Sequence, residues 1–347
     1  MTKNVTFGWA VPSFGGSEDA HIDVPMYEEP NFQITKDTAL LCESLGFESL
    51  WIADHLILGK EYKIFECWTL LSALASVTKK IRLGTLVLCY AFRYPSLLAK
   101  MAATLDVISG GRLILGLGAG WNIHEAESYG INLPDKASVR INQLIETIKI
   151  IKSLWTDKKA TLKGKYYSIN EAICEPKPLQ KPHPPIWIGS LVGGKVMPKV
   201  TALYADGWNT IARPPEVMVE KIEALKEACR EVKRDFNTLT LSIDNHILIA
   251  KNEREVDELK KRIRKKSPNY PSYAHFDSKS QKAHGVKEKF TWEEFSTQNF
   301  IGTPDQIVEQ MKAYVKLGIS HFVLWFLDFP SHDGLKLFGE EVISQFK

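Results

Sequence analysis

Two polar residues, Asp54 and His55, directly follow a short apolar run in the first part of the chain. A histidine titrates near neutral pH, so at the end of a strand it can take up and release a proton during a reaction. Two alternatives stay open: His55 is an acid–base catalyst or a structural histidine, and Asp54 orients the imidazole or caps the loop. We take His55 and Asp54 as the candidate catalytic residues.

Glycines and a lysine follow a second apolar run, at Gly189, Gly193, Gly194 and Lys195. Glycine lets the backbone approach an anion closely, and the start of the helix that follows offers free N–H groups. Lys195 would add positive charge. This pattern predicts a phosphate-binding loop, and a tight turn without a ligand is the alternative.

A third group of glycines occupies every second position at Gly116, Gly118 and Gly120. No acidic residue follows at the spacing of a dinucleotide-binding unit. The small residues either make room for a flat ring system or allow close packing of strand against helix. Motifs of the types G-x-S-x-G, H-E-x-x-H and Walker A are absent, which disfavours hydrolase and ATPase functions.

Eight apolar runs alternate with helical patterns, and the candidate residues follow several of them. The predicted strands are 5–11, 49–53, 81–88, 113–117, 186–188, 207–210, 239–249 and 322–327. Eight such units predict a single-domain (β/α)8 TIM barrel over residues 1–347, with an open doubly wound sheet as the alternative. Because barrel active sites lie at the carboxyl ends of the strands, the fold would bring the candidates together.

Residues 251–299 interrupt this alternation and are rich in Lys, Ser, Tyr and His. We interpret them as an insertion before the last strand, which would cover the barrel mouth as a lid. The charged run within them would bind an acidic partner or form a solvated helix face.

The composition is that of a globular protein, with 44% hydrophobic and 24% charged residues among 347. A net charge of +3 gives no reason to expect a nucleic-acid partner. The five cysteines form no C-x-x-C pair, so neither a disulfide framework nor a zinc site is indicated. The absence of a signal-like or membrane-spanning run predicts a cytoplasmic protein.

The sequence resembles the bacterial luciferase-like family of flavin and deazaflavin oxidoreductases. The similar segments are residues 39–55, 81–85, 92–95 (F-R-Y-P), 98–125 (ending G-L-G-A-G-W-N-I-H-E), 177–189 and 205–209 (A-D-G-W-N). Within the family the chain is most similar to the branch that uses coenzyme F420, a deazaflavin. The segment 324–330 (L-W-F-L-D-F-P) is similar to that branch as well.

The resemblance implies positions for the cofactor ring and its phosphate. Members often contain a non-prolyl cis peptide bond in a bulge of strand three, which corresponds here to Leu86-Val87 or the adjacent bond. The ring would then contact Leu86, Val87, Cys89, Ala119, Gly120 and Trp121. Gly193, Gly194 and Lys195 would hold the phosphate.

Asp54-His55 matches an Asp-His pair that serves in proton transfer in deazaflavin-dependent sugar-phosphate dehydrogenases. In that comparison Asp54 would set the tautomer of His55. Those enzymes also carry an acidic glutamate after strand four, and Trp121 stands at that place here. This departure argues against their sugar-phosphate substrate and against their complete acid–base mechanism.

From the resemblance we expect an oxidoreductase that transfers a hydride between coenzyme F420 and a small organic substrate. We also expect a homodimer. An FMN-dependent luciferase-like monooxygenase, supplied by a flavin reductase, is the first alternative. A non-catalytic protein that binds a flavin or deazaflavin is the second.

Overall fold

A closed barrel of eight parallel strands forms the centre of the computed structural model, which describes residues 4–16, 24–190, 194–268, 270–271 and 291–347. The strands are Thr6–Ala10 (β1), Ser49–Ile52 (β2), Arg82–Thr85 (β3), Leu113–Gly118 (β4), Ile186–Gly189 (β5), Gly207–Ile211 (β6), Thr240–Ile249 (β7) and His321–Phe326 (β8). Each strand pairs with the next, and β8 closes the barrel by pairing with β1. The predicted (β/α)8 barrel is confirmed, and each predicted strand is present.

Helices surround the barrel, and each takes the number of the strand it follows. They are Phe32–Leu45 (α1), Cys67–Val77 (α2), Pro95–Ser109 (α3), Ala137–Thr156 (α4), Val196–Tyr204 (α5), Pro215–Glu231 (α6), Pro304–Val315 (α7) and Asp333–Leu337 (α8). Additional helices are Ile123–Ser128, Glu253–Lys266 and Trp292–Ser296. Helices α1 and α3 end at Gly46 and Gly110, whose positive φ angles of +87° and +70° glycine adopts without a steric penalty.

Two tryptophans fill the lower part of the barrel. The rings of Trp51 and Trp187 lie 4.8 Å apart, and Trp51 donates a hydrogen bond to His321 at 3.1 Å. A Cβ at Gly84 or Gly207 would lie 2.4 or 2.6 Å from these rings, so only glycine leaves room for them. Burial lowers the pKa of His321 to about 3, so it acts as a neutral hydrogen-bonding group. This cluster, the tryptophan plug, closes the barrel below its carboxyl-terminal mouth.

An antiparallel hairpin packs outside the barrel after α4. Its strands are Ala160–Lys163 and Ser168–Ala172, and Tyr166 and Tyr167 lie in the turn between them. The carboxylate of Glu146 accepts hydrogen bonds from three successive backbone N–H groups at the tip, at 2.8 to 3.0 Å. The partly buried carboxylate of Glu146 therefore fixes the tip of the hairpin to α4.

The described parts of 251–299 lie beside the mouth. The helix Glu253–Lys266 buries Val256 and Ile263, and its charged residues form the solvated face that the sequence allows. Lys266 bonds the carbonyl of Met26 and the carboxylate of Glu28, both at 3.0 Å, in the loop after β1. A short strand, Phe300–Gly302, extends the sheet along the end of β7. The predicted lid also falls on residues 269 and 272–290, which lie outside the described residues, so it stays a prediction.

None of the helices that the structure describes is long and apolar enough to cross a membrane. All five cysteines are buried and free.

Candidate active site

His55 and Glu125 form a hydrogen-bonded pair at the mouth of the barrel. His55 follows β2, and its Nδ1 lies 2.8 Å from Oε2 of Glu125. The other oxygen of Glu125 accepts backbone N–H groups of Leu56 and Ile57. Since a carboxylate only accepts hydrogen bonds, Nδ1 of His55 carries the hydrogen, and Nε2 is the nitrogen able to receive a proton.

Glu125 reaches His55 from the segment that follows β4. It lies in the first turn of the helix Ile123–Ser128, where the side chain of Asn122 accepts its backbone N–H at 3.2 Å. Burial acts to raise the pKa of Glu125, but the hydrogen bonds from His55 and from the two amides outweigh it, and the pKa is lowered. A buried glutamate therefore stays ionised beside the imidazole.

The predicted role of Asp54 needs a correction. The carboxylate of Asp54 accepts two hydrogen bonds from Arg93 and one from the amide of Cys89, each at 3.0 Å. Consecutive residues of an extended chain point to opposite sides, so Asp54 and His55 diverge. The prediction that Asp54 sets the tautomer of His55 is therefore wrong, and Glu125 holds that position. Asp54 fixes the end of β2 to the loop after β3.

Arg93, from the F-R-Y-P segment, extends this contact to a helix. Its guanidinium also bonds Glu66, which accepts the first N–H groups of α2 from Trp68 and Thr69. Asp54, Arg93 and Glu66 thus connect β2, the loop after β3 and α2 beneath His55. The sequence-based prediction gives no role to Arg93, Glu66 or Glu125, because each acts through a contact between distant segments.

The strand-three bulge lies where the resemblance places it. The bond between Leu86 and Val87 is cis, and both residues are half-buried. Regular pairing stops at Thr85 and resumes with Leu88 and Cys89 against the end of β4. The continuous strand predicted over 81–88 is thus divided by the bulge.

The glycines of β4 and β5 leave the space that this bulge occupies. A Cβ at Gly116 would lie 1.9 Å from the carbonyl oxygen of Thr85. At Gly118 or Gly189 it would lie 2.8 or 2.7 Å from a methyl group of Val87. Gly116 and Gly118 therefore allow close packing against strand three rather than against a helix.

Three predicted ring contacts remain accessible after β4, namely Ala119, Gly120 and Trp121, which are all half-buried. The indole of Trp121 lies edge-on to His55, with ring centroids 5.5 Å apart. Cys89 differs from them because it is buried beneath Gly120. Burial raises the pKa of its thiol to about 12, so it stays protonated and is not a nucleophile.

The predicted phosphate loop is open where the structure describes it, and Gly193 lies outside the described residues. Gly194 has a φ of +113° and open space where a Cβ would stand. The exposed Lys195 precedes α5, whose first N–H groups receive no side-chain cap from it. An adjoining cavity of about 210 Å³ is lined by Ser190, Gly194, Trp208 and Lys221, among others. Burial lowers the pKa of Lys221 to about 8, so this second cation, which the sequence did not indicate, is fully charged only below that pH.

Comparisons with known proteins agree with this arrangement. The sequence model of the family described as luciferase-like monooxygenase matches residues 5–321. The F420-dependent glucose-6-phosphate dehydrogenase of Microbacterium testaceum is 30% identical over 90% of this chain and 92% of its own length. That of Amycolatopsis mediterranei is 27% identical over 89% and 93%.

One solved structure with the same fold is an F420-dependent secondary alcohol dehydrogenase in complex with an F420–acetone adduct. It superposes with a TM-score of 0.76 at 22% identity, covering 99% of both chains. The match to the family model extends over most of the chain, and the barrel and the cis bond in strand three agree with it. The chain belongs to the luciferase-like monooxygenase family.

Proposed function

We propose that this protein is an oxidoreductase that transfers a hydride between coenzyme F420 and a small organic substrate. The observation that carries the proposal is the hydrogen-bonded pair of the partly exposed His55 and the buried Glu125 at the strand ends, beside Trp121. Relatives named as F420-dependent dehydrogenases support the choice of cofactor.

The described residues fit a phosphorylated ring cofactor at three places. The half-buried bulge at Leu86 and Val87 offers a platform, and the accessible end of β4 offers a wall. The open backbone at Gly194, followed by Lys195, suits a phosphate group. When bound, the deazaflavin would supply a ring carbon that accepts or donates a hydride.

The protein residues would manage the proton that accompanies the hydride. His55 would take the proton of a substrate hydroxyl at Nε2 during oxidation, or return it during reduction. The charge of Glu125 would stabilise the imidazolium that forms, while its hydrogen bond holds the ring in one tautomer. Trp121 would limit the access of water to the imidazole.

The experiment is an anaerobic assay of F420 reduction with a panel of secondary alcohols and with glucose 6-phosphate. We expect turnover with at least one donor, and about 100-fold or greater loss in His55→Ala. Oxygen-dependent turnover with reduced FMN would instead favour a monooxygenase served by a flavin reductase. Cofactor binding without turnover in any arm would favour the non-catalytic alternative.

We also propose that the protein is a cytoplasmic homodimer. The free, buried cysteines are consistent with a reducing compartment. Leu97 and Ile108 lie three turns apart on one face of α3, and each is more than half exposed. A second copy would cover this apolar face. Sedimentation velocity on the purified chain would detect a dimer, and a monomer would contradict the proposal.

A further inference from the structure

Three polar residues alternate along the inner face of β7. Ser242 is bonded by the amide of Asn209 at 3.1 Å, and Asp244 accepts a hydrogen bond from the indole N–H of Trp325 at 2.6 Å. His246 follows two residues later. Because residues two apart on a strand share a face, all three point into the barrel.

Asp244 lies above the tryptophan plug. Ser242 pairs in register with His321, which accepts the hydrogen bond of Trp51 within the plug. Asp244 is two residues nearer the mouth. Apart from Thr240 at the start of β7, it is the one residue of this strand that is not buried. The carboxyl group therefore faces the interior of the mouth, where parallel barrels bind their substrates.

No cation balances Asp244 among the residues that the structure describes. Trp325 is the one side chain there that hydrogen-bonds it. Burial lowers the pKa of the neighbouring His246 to about 4, so this histidine is neutral at pH 7. Asp54, by contrast, forms an ion pair with Arg93. Burial without such a cation raises the pKa of Asp244 to about 7.

A recessed carboxyl group with one donor can accept further hydrogen bonds, and a buried polar group without them is unfavourable. Within the described residues, the indole N–H of Trp325 is the one side-chain donor to the carboxyl group of Asp244. A ligand in the mouth can supply the missing donor.

We propose that Asp244 contacts the substrate and accepts a hydrogen bond from a hydroxyl or protonated amine other than the group that is oxidised. This inference rests on the proposed function and narrows its substrate class. The substrate is then an alcohol, or the matching carbonyl compound, that carries a second hydrogen-bond donor.

The test compares three ligands of nearly equal size: 2-butanol, 1,2-propanediol and 1-amino-2-propanol. Their dissociation constants are measured by ligand-observed NMR with the F420-bound protein at about pH 8.5, where the carboxyl group of Asp244, with a pKa of about 7, is ionised. We expect the diol and the amino alcohol to bind at least about 10-fold more tightly than 2-butanol, as for a hydrogen bond to a charged group. Asp244→Leu should abolish both preferences. Asp244→Asn, which keeps the shape and the acceptor for Trp325, should retain the preference for the diol and lose that for the amine.

Asp106→Asn is the matched control. Asp106 is a buried carboxylate on α3 that bonds Gln180, far from the mouth, and its loss should leave the preferences unchanged. Equal or absent binding of the three ligands to the native protein overturns the inference. So does a preference that survives in Asp244→Leu, or an Asp244→Asn protein that behaves as the native one. A native protein that fails to bind F420 contradicts the proposed function instead.

Discussion

The imidazole of His55 has two nitrogens in different surroundings. Nδ1 faces the ionised, buried carboxylate of Glu125, whereas Nε2 hydrogen-bonds none of the residues that the structure describes. A single amide substitution at Glu125 tests this arrangement, because a glutamine can donate to Nδ1 and thereby reverse the tautomer.

We expect Glu125→Gln to lower turnover by about 100-fold or more, with cofactor affinity nearly unchanged, because Nε2 would then carry the hydrogen. Glu146→Gln is the control, since Glu146 also accepts backbone N–H groups but contacts no histidine in the described structure. Steady-state kinetics of both variants measures the two turnover rates that this prediction compares. Equal rates for Glu125→Gln and the native protein would remove the pair from the mechanism.

The same residue predicts a pH dependence of stability. The folded-state pKa of Glu125 is lowered, so its contribution is present above its ordinary pKa and is lost as the pH falls through the folded value. The difference in free energy of unfolding between the native protein and Glu125→Gln should therefore shrink on acidification. Denaturant titrations at neutral and acidic pH measure that difference, and a constant value would contradict the lowered pKa.

At the scale of elements, the apolar runs predicted the eight strands because parallel barrel strands are buried on both faces. Periodicity did not reveal the bulge after Thr85; the family resemblance did. Glu125 could not be assigned because its partner lies 70 residues away, across the mouth. Asp244 was missed because this strand was predicted from its apolar residues, and the polar alternation of Ser242, Asp244 and His246 within it was given no role.

The loop before α5 is predicted to bind the phosphate group of the cofactor. Lys195→Ala should weaken F420 binding several-fold with little effect on the chemical step, because an exposed lysine contributes charge to binding alone. Lys199→Ala, one turn further along α5 and paired with Glu231, should bind F420 as the native protein does. Equal affinities of the two variants would contradict the phosphate assignment.

For the whole molecule, the barrel places the proposed proton-transfer pair of His55 and Glu125 after β2 and β4 and a candidate phosphate loop after β5. The tryptophan plug fills the interior of the barrel below them. A barrel with a phosphate loop suits F420 and FMN alike, so the identity of the bound cofactor decides which chemistry follows.

The most direct measurement is an equilibrium titration of the cofactor-free protein with F420 and, separately, with FMN, followed by tryptophan fluorescence. Trp121 lies beside His55, so a ring bound at the end of β4 should quench its emission. We predict saturable quenching by F420 at concentrations at least about 10-fold below those required of FMN. Tighter binding of FMN, or no binding of F420, would contradict F420-dependent hydride transfer.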